Sequence, residues 1–390
     1  MKDLGKKLLA PILSLFLGTI GNSFFGTLLS LDMKESGCSN LLIGGIVSVY
    51  YLGMMLGTWF LEKKIDNFGF NFSYLVLVIL NIVFIALFHL NQSLPYWYLI
   101  RFFLGVVLGG IFIIIESWIL LLSPQEKKGE ALSWYMIGLY SGASLGQLLL
   151  QDTTKSYPIS VLIPIIACAL AILILFSQKR VEDFKDTKEV PPLTIKTVLQ
   201  VAPIGFFGNL LSGATLSVFY GLVPLYGQNL SLSTQQIGLL MGITIAGGFI
   251  GQWPIGKISD SFNKDRVLIC NVLCLTLISV PMLFGSKFPF PVLLGIMFLF
   301  GALAFTLYPL SINSLCEKLP ADQTISAVTK GVVAYGIGCV LGPILAPLFM
   351  EIGFKEGLFA YFLLNTTLFV VFFTRRGLKR VEKTSFQDPP

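Results

Sequence analysis

The chain has 390 residues, of which 55% are hydrophobic and only 12% are charged, and its formal net charge is +6. Because globular domains usually contain about 25% charged residues, this composition excludes an ordinary water-soluble protein. The excess of basic residues is expected to reflect orientation in a membrane and contact with anionic lipid head groups, so no nucleic-acid partner is predicted.

Twelve long apolar stretches follow one another along the chain. A helix crosses a bilayer core with about 20 consecutive apolar residues. Stretches of this kind lie at 8–31, 41–61, 73–90, 96–122, 131–150, 158–177, 199–226, 236–256, 267–285, 290–315, 324–349 and 356–374. They lack the alternating pattern of a membrane β-barrel. The sequence therefore predicts an all-α membrane protein with twelve transmembrane helices.

A charged segment divides these stretches six and six. It contains Pro191 and Pro192 among acidic and basic side chains, a composition typical of a solvated linker. We therefore predict an N-terminal six-helix bundle at 1–177, a cytoplasmic linker at 178–197, a C-terminal six-helix bundle at 198–376 and a cytoplasmic tail at 377–390.

The two predicted bundles repeat one sequence pattern. Residues 43–68 are echoed by residues 237–262, at an offset of about half the chain. Identical pairs are Ile43/Ile237, Gly44/Gly238, Gly53/Gly247, Gly57/Gly251, Trp59/Trp253, Lys63/Lys257, Asp66/Asp260 and Phe68/Phe262. Such self-similarity indicates duplication of one structural unit. Duplicated membrane units are typical of alternating-access carriers, which hold their substrate between the halves.

The distribution of lysine and arginine predicts the orientation. Of the 27 basic residues, those expected opposite the N-terminus are Lys34, Lys155, Lys287 and Lys355, and those expected inside helices are Arg101 and Lys330. All others lie on the side of the N-terminus. Positive charge is retained in the cytoplasm during insertion. We therefore predict a multi-pass protein of the inner membrane with both termini in the cytoplasm.

The loops after the second and eighth predicted helices carry related polar motifs, whose residues are Asp66, Gly69, Gly256, Asp260, Lys264 and Arg266. Both loops resemble the Gly-x-x-x-Asp-Arg-x-Gly-Arg-Arg signature of the major facilitator superfamily. The first loop departs from it, with Glu62 in place of the leading glycine and uncharged residues in place of basic ones. Arg101-Phe-Phe-Leu-Gly105 resembles the fourth-helix signature of the same family.

Within this superfamily the chain is most similar to the YcaD-like uncharacterised carriers. The segments that carry the likeness are 69–74, 116–117, 140–148, 251–256 and 305–309. The resemblance implies two six-helix halves and a latch that holds the inner gate shut. In that latch Asp66 would face predicted helix eleven and Asp260 would face predicted helix five, since a helix N-terminus favours a carboxylate. The alternative is a solvated carboxylate in each turn.

Glu116 and Arg101 are the costliest residues of the predicted helices, because a charge near the bilayer centre costs about 2.5–3.5 kcal/mol. They are separated by about 22 Å along the fourth helix, so they cannot pair directly, yet an angle of about 60° lets both face one cavity wall. Glu116 is interpreted either as a proton site or as a gate residue paired with Lys330. The sequence leaves both alternatives open.

Other polar residues within helices are candidates for lining a substrate cavity. They are Asn22, Tyr50, Tyr51, Trp118, Gln147, Asn209, Gln252, Tyr308 and Asn313. Each can instead form a hydrogen bond between helices. The six cysteines and the single histidine do not form a metal-ligand pattern, and no cofactor is expected.

These patterns predict a monomeric secondary transporter of a small organic solute that uses protons and alternating access. A facilitative uniporter and a drug or metabolite efflux antiporter are the alternatives within that class. A channel is the alternative of another class, although the sequence has no ring of repeated charges. No nucleophile–base pair or nucleotide-binding loop is present in the sequence, which argues against an enzyme and against ATP-driven transport.

Overall fold

The computed structural model describes residues 2–91, 93–124, 127–151, 158–176, 194–319, 323–351 and 356–385, and these ranges are helical with short connections. The α-helices are α1 Lys2–Glu35, α2 Asn40–Phe68, α3 Phe70–Leu87, α4 Leu94–Leu121, α5 Lys128–Leu148, α6 Ile159–Phe176, α7 Ile195–Val201, α8 Pro203–Asn229, α9 Thr234–Ser261, α10 Lys264–Met282, α11 Phe290–Ala304, α12 Leu307–Cys316, α13 Thr324–Met350 and α14 Gly357–Ser385. Short 3-10 turns lie at Phe88–Leu90 and Gly285–Lys287.

Ten membrane-spanning candidates are long and apolar enough within the described ranges, with α11 and α12 counted as one span. The predicted count of twelve spans is therefore not confirmed. Helix α6 qualifies only as a shorter apolar helix, and α5 is not among the ten. The sequence of α5 alternates apolar residues with serine, glycine and glutamine. These polar residues lower its hydropathy, and two of them, Ser144 and Gln147, bond to neighbouring helices.

Two predicted stretches are each interrupted by a proline. The stretch 290–315 breaks into α11 and α12 at Phe305 and Thr306. Pro309 lacks an N–H and its ring clashes with the carbonyl four residues earlier, which here belongs to Phe305. Thr306 Oγ1 donates to the carbonyls of Ala302 at 3.1 Å and Leu303 at 2.9 Å. The break sets Phe305 at the middle of the bundle.

The stretch 199–226 begins with the short helix α7, which ends before Pro203 opens α8. Proline is tolerated in the first turn of a helix, where its missing N–H is not needed. Most of the predicted linker, residues 177–193, lies outside the described residues. Helix α14 continues to Ser385, into the region predicted as a tail.

Short connections make consecutive membrane-crossing helices antiparallel. We call the end of the bundle where α1 begins the terminal face, and the opposite end, where α1 ends at Glu35 and α2 begins at Asn40, the distal face. Residues 2–176 are called the N-terminal half and residues 194–385 the C-terminal half. These names refer only to the chain and its ends.

The two halves meet closely toward the distal face. A Cβ atom on Gly44 of α2 would lie 1.9 Å from the Pro343 carbonyl oxygen of α13. A Cβ atom on Gly238 of α9 would lie 2.4 Å from the Gln147 carbonyl oxygen of α5. Small residues permit such backbone approach between membrane helices. Ser144 also donates a 3.0 Å hydrogen bond to a carbonyl on α9, so the distal contacts are both apolar and polar.

Candidate functional site

A cavity of about 210 Å³ lies between the two halves. Its lining residues from the N-terminal half are Thr19, Asn22, Ser23, Gly26, Thr27, Val47, Tyr50, Tyr51, Met54, Arg101, Phe112, Leu139, Tyr140 and Ala143. Those from the C-terminal half are Leu216, Tyr220, Gly221, Phe305 and Tyr335. Since both halves supply walls, a relative movement of the halves would change the shape of the cavity.

One face of α1 forms the polar side of the cavity. Its lining residues, Thr19, Asn22, Ser23, Gly26 and Thr27, follow the spacing i, i+3, i+4, i+7 and i+8 and therefore share one helix face. Only Asn22 was among the residues predicted from the sequence. The periodic stripe of small and polar residues in an apolar helix was the signal that could have identified the others.

Arg101 is a buried cation at the wall of this cavity, and its exposed fraction is 5%. Its guanidinium carbon lies 4.2 Å from the Tyr50 ring centroid and 5.7 Å from that of Phe25. The Nε atom has no hydrogen-bond partner. Within the described part of the chain no carboxylate lies in ion-pair range of Arg101. The cation is held by aromatic faces while its polar edge is left for another group.

Close packing of α2 on α4 places Arg101 beside Tyr50. A Cβ atom on Gly105 would lie 2.0 Å from the Tyr50 carbonyl oxygen, and one on Gly53 would lie 2.2 Å from the Phe102 carbonyl oxygen. Glycine is thus required at both positions for the helices to approach this closely. Because the contact brackets Arg101 and Tyr50, it determines the stacking of the two side chains.

Only the carbonyl oxygen of the Asn22 side chain has a hydrogen-bond partner among the described residues. The Tyr50 hydroxyl donates to Asn22 Oδ1 at 3.1 Å. A carboxamide carries two N–H donors in addition to its carbonyl oxygen. With Oδ1 engaged by Tyr50, the Nδ2 group of Asn22 is the remaining polar group of that side chain at the cavity wall.

Aromatic rings from the C-terminal half close the middle of the cavity. Tyr140 meets Phe305 edge to face, with ring centroids 5.4 Å apart, and the Phe305 ring lies 6.0 Å from that of Tyr220. The Tyr140 side chain forms a hydrogen bond with Gln252, one of the residues predicted from the sequence. The proline-induced break at Phe305 therefore supplies part of the cavity wall.

Glu116 lies closer to the terminal face than the cavity does and is exposed. Its carboxylate is within electrostatic range of Tyr135 on α5 and of Tyr308 on α12. These two tyrosines belong to different halves, so Glu116 faces the gap between the halves and not the lipid. The Tyr308 ring meets that of Tyr335, a cavity residue, at 5.1 Å. Glu116 is not among the lining residues of the cavity; it lies between the two halves, on the terminal side of that cavity.

Lys330, the predicted partner of Glu116, lies on α13 and is partly exposed. Among the described residues, no ion pair joins Lys330 to Glu116. The two side chains are at similar depth on opposite halves.

The predicted latch residues lie at the terminal face. Asp260 is exposed and has no hydrogen-bond partner among the described residues. The Asp66 side chain lies outside the described residues. Gly69 has a φ of 82° where α2 ends, a conformation that favours glycine, whereas Gly256 has open space around it. Lys264 donates to the Ser259 carbonyl.

A neighbouring acid missed in the sequence links two helices of the C-terminal half. Asp265 on α10 forms an ion pair with Lys318 and accepts a 2.5 Å hydrogen bond from Ser314 of α12. Arg266, which the motif resemblance singled out, uses its backbone N–H for the cap at Asn263. The side-chain bonds therefore come from the residue beside the one predicted.

Six of the nine predicted lining residues are not among those that line the cavity, namely Trp118, Gln147, Asn209, Gln252, Tyr308 and Asn313. Trp118 packs in the core against Tyr74, with ring centroids 6.4 Å apart. Gln147 donates to both the carbonyl and the hydroxyl of Ser23, and Asn209 donates to the Gly205 carbonyl. Asn313 is exposed on α12. Three of these side chains thus take part in packing within one half.

Sequence relatives carry transporter names. An uncharacterized MFS-type transporter of Yersinia enterocolitica is 31% identical over 357 residues, which cover 90% of this chain and 91% of the relative. The uncharacterized MFS-type transporter YcaD of Escherichia fergusonii is 30% identical over 341 residues, which cover 86% of this chain and 87% of the relative. Both alignments extend over nearly the whole length of each protein.

Solved transporter structures share the fold. A crystal structure of a mutant of the nucleoside transporter NupG superposes with a TM-score of 0.78 at 14% identity, covering 95% of this chain and 99% of that one. A crystal structure of the D-xylose-proton symporter gives a TM-score of 0.74 at 16% identity, covering 95% of this chain and 97% of that one.

The family model described as Major Facilitator Superfamily matches residues 12–343 and 205–389. This match and the relatives confirm the resemblance predicted from the loop motifs. They also agree with the ten long apolar helices and with a cavity between two halves of the chain. The chain belongs to the major facilitator superfamily, and it is an integral, multi-pass membrane transporter and not an enzyme.

Proposed function

We propose that this protein is a proton-coupled secondary transporter of a small organic solute, which works by alternating access. In this proposal twelve membrane spans form two six-helix bundles at 1–177 and 198–376, and the protein acts as a monomer. The observation that carries the proposal is the cavity walled by both halves. Tight helix contacts lie on its distal side, and exposed Glu116 lies on its terminal side.

The orientation of the cavity follows from the distribution of basic residues. Positive charge is retained in the cytoplasm, so the terminal face is assigned to the cytoplasm and the membrane to the inner membrane. The present conformation is then open toward the cytoplasm. Release of the distal contacts, with closure of the terminal gap, would expose the same cavity to the other side of the membrane.

Closure of the terminal gap would change the surroundings of Glu116 most. In the open state water reaches its carboxylate, and Tyr135 and Tyr308 flank it from the two halves. When the halves close, that water is displaced, and a charged carboxylate becomes costly in the membrane interior. Glu116 would therefore be protonated while the terminal gap is closed; it would take the proton from the distal side when the cavity opens there and release it into the cytoplasm when the terminal gap reopens to water. The D-xylose-proton symporter, which shares this fold, is an example of a proton-coupled transporter.

The alternative role of Glu116 is a gate pair with Lys330. Such a pair would form only in the closed terminal state and would compensate both charges without a proton. The structure contains no ion pair between them within the residues it describes. The two roles differ in one consequence, because only a proton carrier links solute flux to the pH gradient.

Proteoliposomes that contain a pH-sensitive dye test this proposal. Small carboxylates, pentoses and nucleosides are added one at a time, and protein-free liposomes correct for passive permeation. We expect saturable, solute-evoked proton movement with the native protein and its loss in Glu116→Gln. The matched control is Glu351→Gln, an exposed acid near the distal face, which is expected to keep native flux.

Each alternative predicts a different outcome. If Glu116 forms a gate pair, Lys330→Gln reproduces the Glu116→Gln defect and proton movement is absent from both. A facilitative uniporter moves solute without sensitivity to the pH gradient, and a channel conducts without saturation. Native flux with native pH dependence in Glu116→Gln would remove this residue from the coupling mechanism.

A further inference from the structure

We propose that the transported solute is a small organic anion, and that Arg101 and Asn22 form the subsite that binds its carboxylate. This inference depends on the proposed transport function for its physiological meaning, although binding can be measured without transport.

Arg101 has no counter-charge in the cavity. It is the charged member of the lining set given above, and that described set contains no aspartate or glutamate. The groups with electrostatic influence on it are the hydroxyls of Tyr50 and Tyr51. A cation inside a membrane protein needs a partner, a wet cavity or neutralisation. Here a bound anion would supply the missing charge.

Stacking on tyrosine does not satisfy the guanidinium. The Tyr50 ring centroid lies 4.2 Å from the guanidinium carbon. This cation–π contact reduces the free-energy cost of burying the charge. The N–H donors point outward along the edge of the planar group, and Nε has no acceptor. A carboxylate binds this edge through two parallel hydrogen bonds. Tyr50 thus supports the cation without competing for its edge.

Asn22 supplies a second donor next to the first. Tyr50 donates to its Oδ1, and this leaves the Nδ2 hydrogens of Asn22 for an acceptor in the cavity. Gly26, one turn further along α1, keeps the space beside the guanidinium open, because a Cβ atom there would lie 3.3 Å from Arg101 Nη2. The same side of the cavity therefore combines a cation and an amide donor.

The remaining walls favour a compact apolar body. Val47, Met54, Phe112, Leu139, Leu216 and Phe305 contribute apolar surface to the lining. The volume of about 210 Å³ is below the range of roughly 300–1,000 Å³ that is typical of drug-sized ligands. An organic cation is disfavoured by Arg101, and uncharged hydroxylated solutes, which the hydroxyl groups of the lining could also contact, would leave the charge of Arg101 without a partner. A small aliphatic or aromatic monocarboxylate fits the charge, size and polarity.

Pairs of an acid and its neutral amide test this inference on the full-length protein purified in detergent. Isothermal titration calorimetry is performed with benzoate and benzamide, with butyrate and butyramide, and with xylose and uridine as uncharged solutes. We expect at least one acid to bind saturably and at least tenfold more tightly than its amide. In Arg101→Met that acid should bind more than tenfold more weakly, whereas Arg101→Lys should retain part of the affinity.

The control variant is Lys287→Gln, which removes one positive charge from an exposed site near the distal face and should keep native affinity. The inference is overturned if neither acid binds, if acid and amide bind equally, if Arg101→Met binds the acid as the native protein does, or if only xylose or uridine binds. Thermal unfolding of each variant checks that a loss of binding is not a loss of folding.

Failure of this inference and failure of the transport proposal can be distinguished. Spin labels at Leu121, at the end of α4, and Glu317, after α12, form a terminal-gap label pair, with one label on each half and both sites at least partly exposed. Two interconverting distances without acid binding would refute the anion and retain alternating access. Acid binding with a single fixed distance would retain the anion site and refute the movement.

Discussion

Arg101→Met is expected to stabilise the unliganded protein while it removes anion binding. On insertion scales a charged side chain at the centre of a membrane helix costs about 2.5–3.5 kcal/mol. The desolvated cation–π contact with Tyr50, at 4.2 Å, returns about 2 kcal/mol. Methionine has a similar length and no charge. Because Arg101 is the eighth of the 28 residues of α4 and does not lie at its centre, the difference predicts a gain of at most roughly 0.5–1.5 kcal/mol in the free energy of unfolding.

The assay is denaturant unfolding of the native protein and Arg101→Met in detergent without added anions, followed by circular dichroism. If Arg101 were instead compensated by an acid, its removal would leave a buried charge alone and cost about 3–5 kcal/mol. A loss of stability of that size would refute the inference that Arg101 has no counter-charge in the unliganded protein. A gain in stability together with lost acid binding would support it.

Two further variants shift the balance between conformations in opposite directions, and the terminal-gap label pair measures both by double electron–electron resonance. Gly44→Ala places a methyl group 1.9 Å from the Pro343 carbonyl oxygen. Distal closure is therefore disfavoured, and the population with a short terminal distance should rise. The control is Gly18→Ala, which meets open space and should leave the distances unchanged. Asp260→Asn weakens the proposed latch with predicted helix five, so the long terminal distance should gain population, and an unchanged distribution would count against the latch.

The sequence alone was sufficient to predict a helical membrane transporter. A membrane span can be recognised from the local sequence, because it requires about 20 consecutive apolar residues. This requirement does not depend on which helices pack against it. The duplication of residues 43–68 at 237–262 pointed to a carrier architecture, and the loop motifs pointed to the family that the comparisons confirm. Arg101 and Glu116 were recognisable from their chemistry, since an ionisable residue in an apolar helix is costly in any arrangement.

The rotation of each helix about its own axis could not be predicted from the sequence. Asn22 and Gln147 are similar amides within apolar helices, yet Asn22 lines the cavity and Gln147 bonds to Ser23 between α1 and α5. Which side of a membrane helix faces a cavity depends on how the helix is turned against its neighbours. Close contacts such as that of Gly105 with the Tyr50 carbonyl determine this rotation, and they join residues far apart in the chain.

Composition and residue order were thus enough to predict the membrane environment, the family and the two costly charges. The helix packing was needed to find that the halves meet closely at the distal face, that Arg101 lies over the Tyr50 ring with no carboxylate partner among the described residues, and that Glu116 lies between tyrosines of the two halves. The physical reason is that polar side chains in a bilayer must find partners across helices, and helix packing decides which partners are within reach.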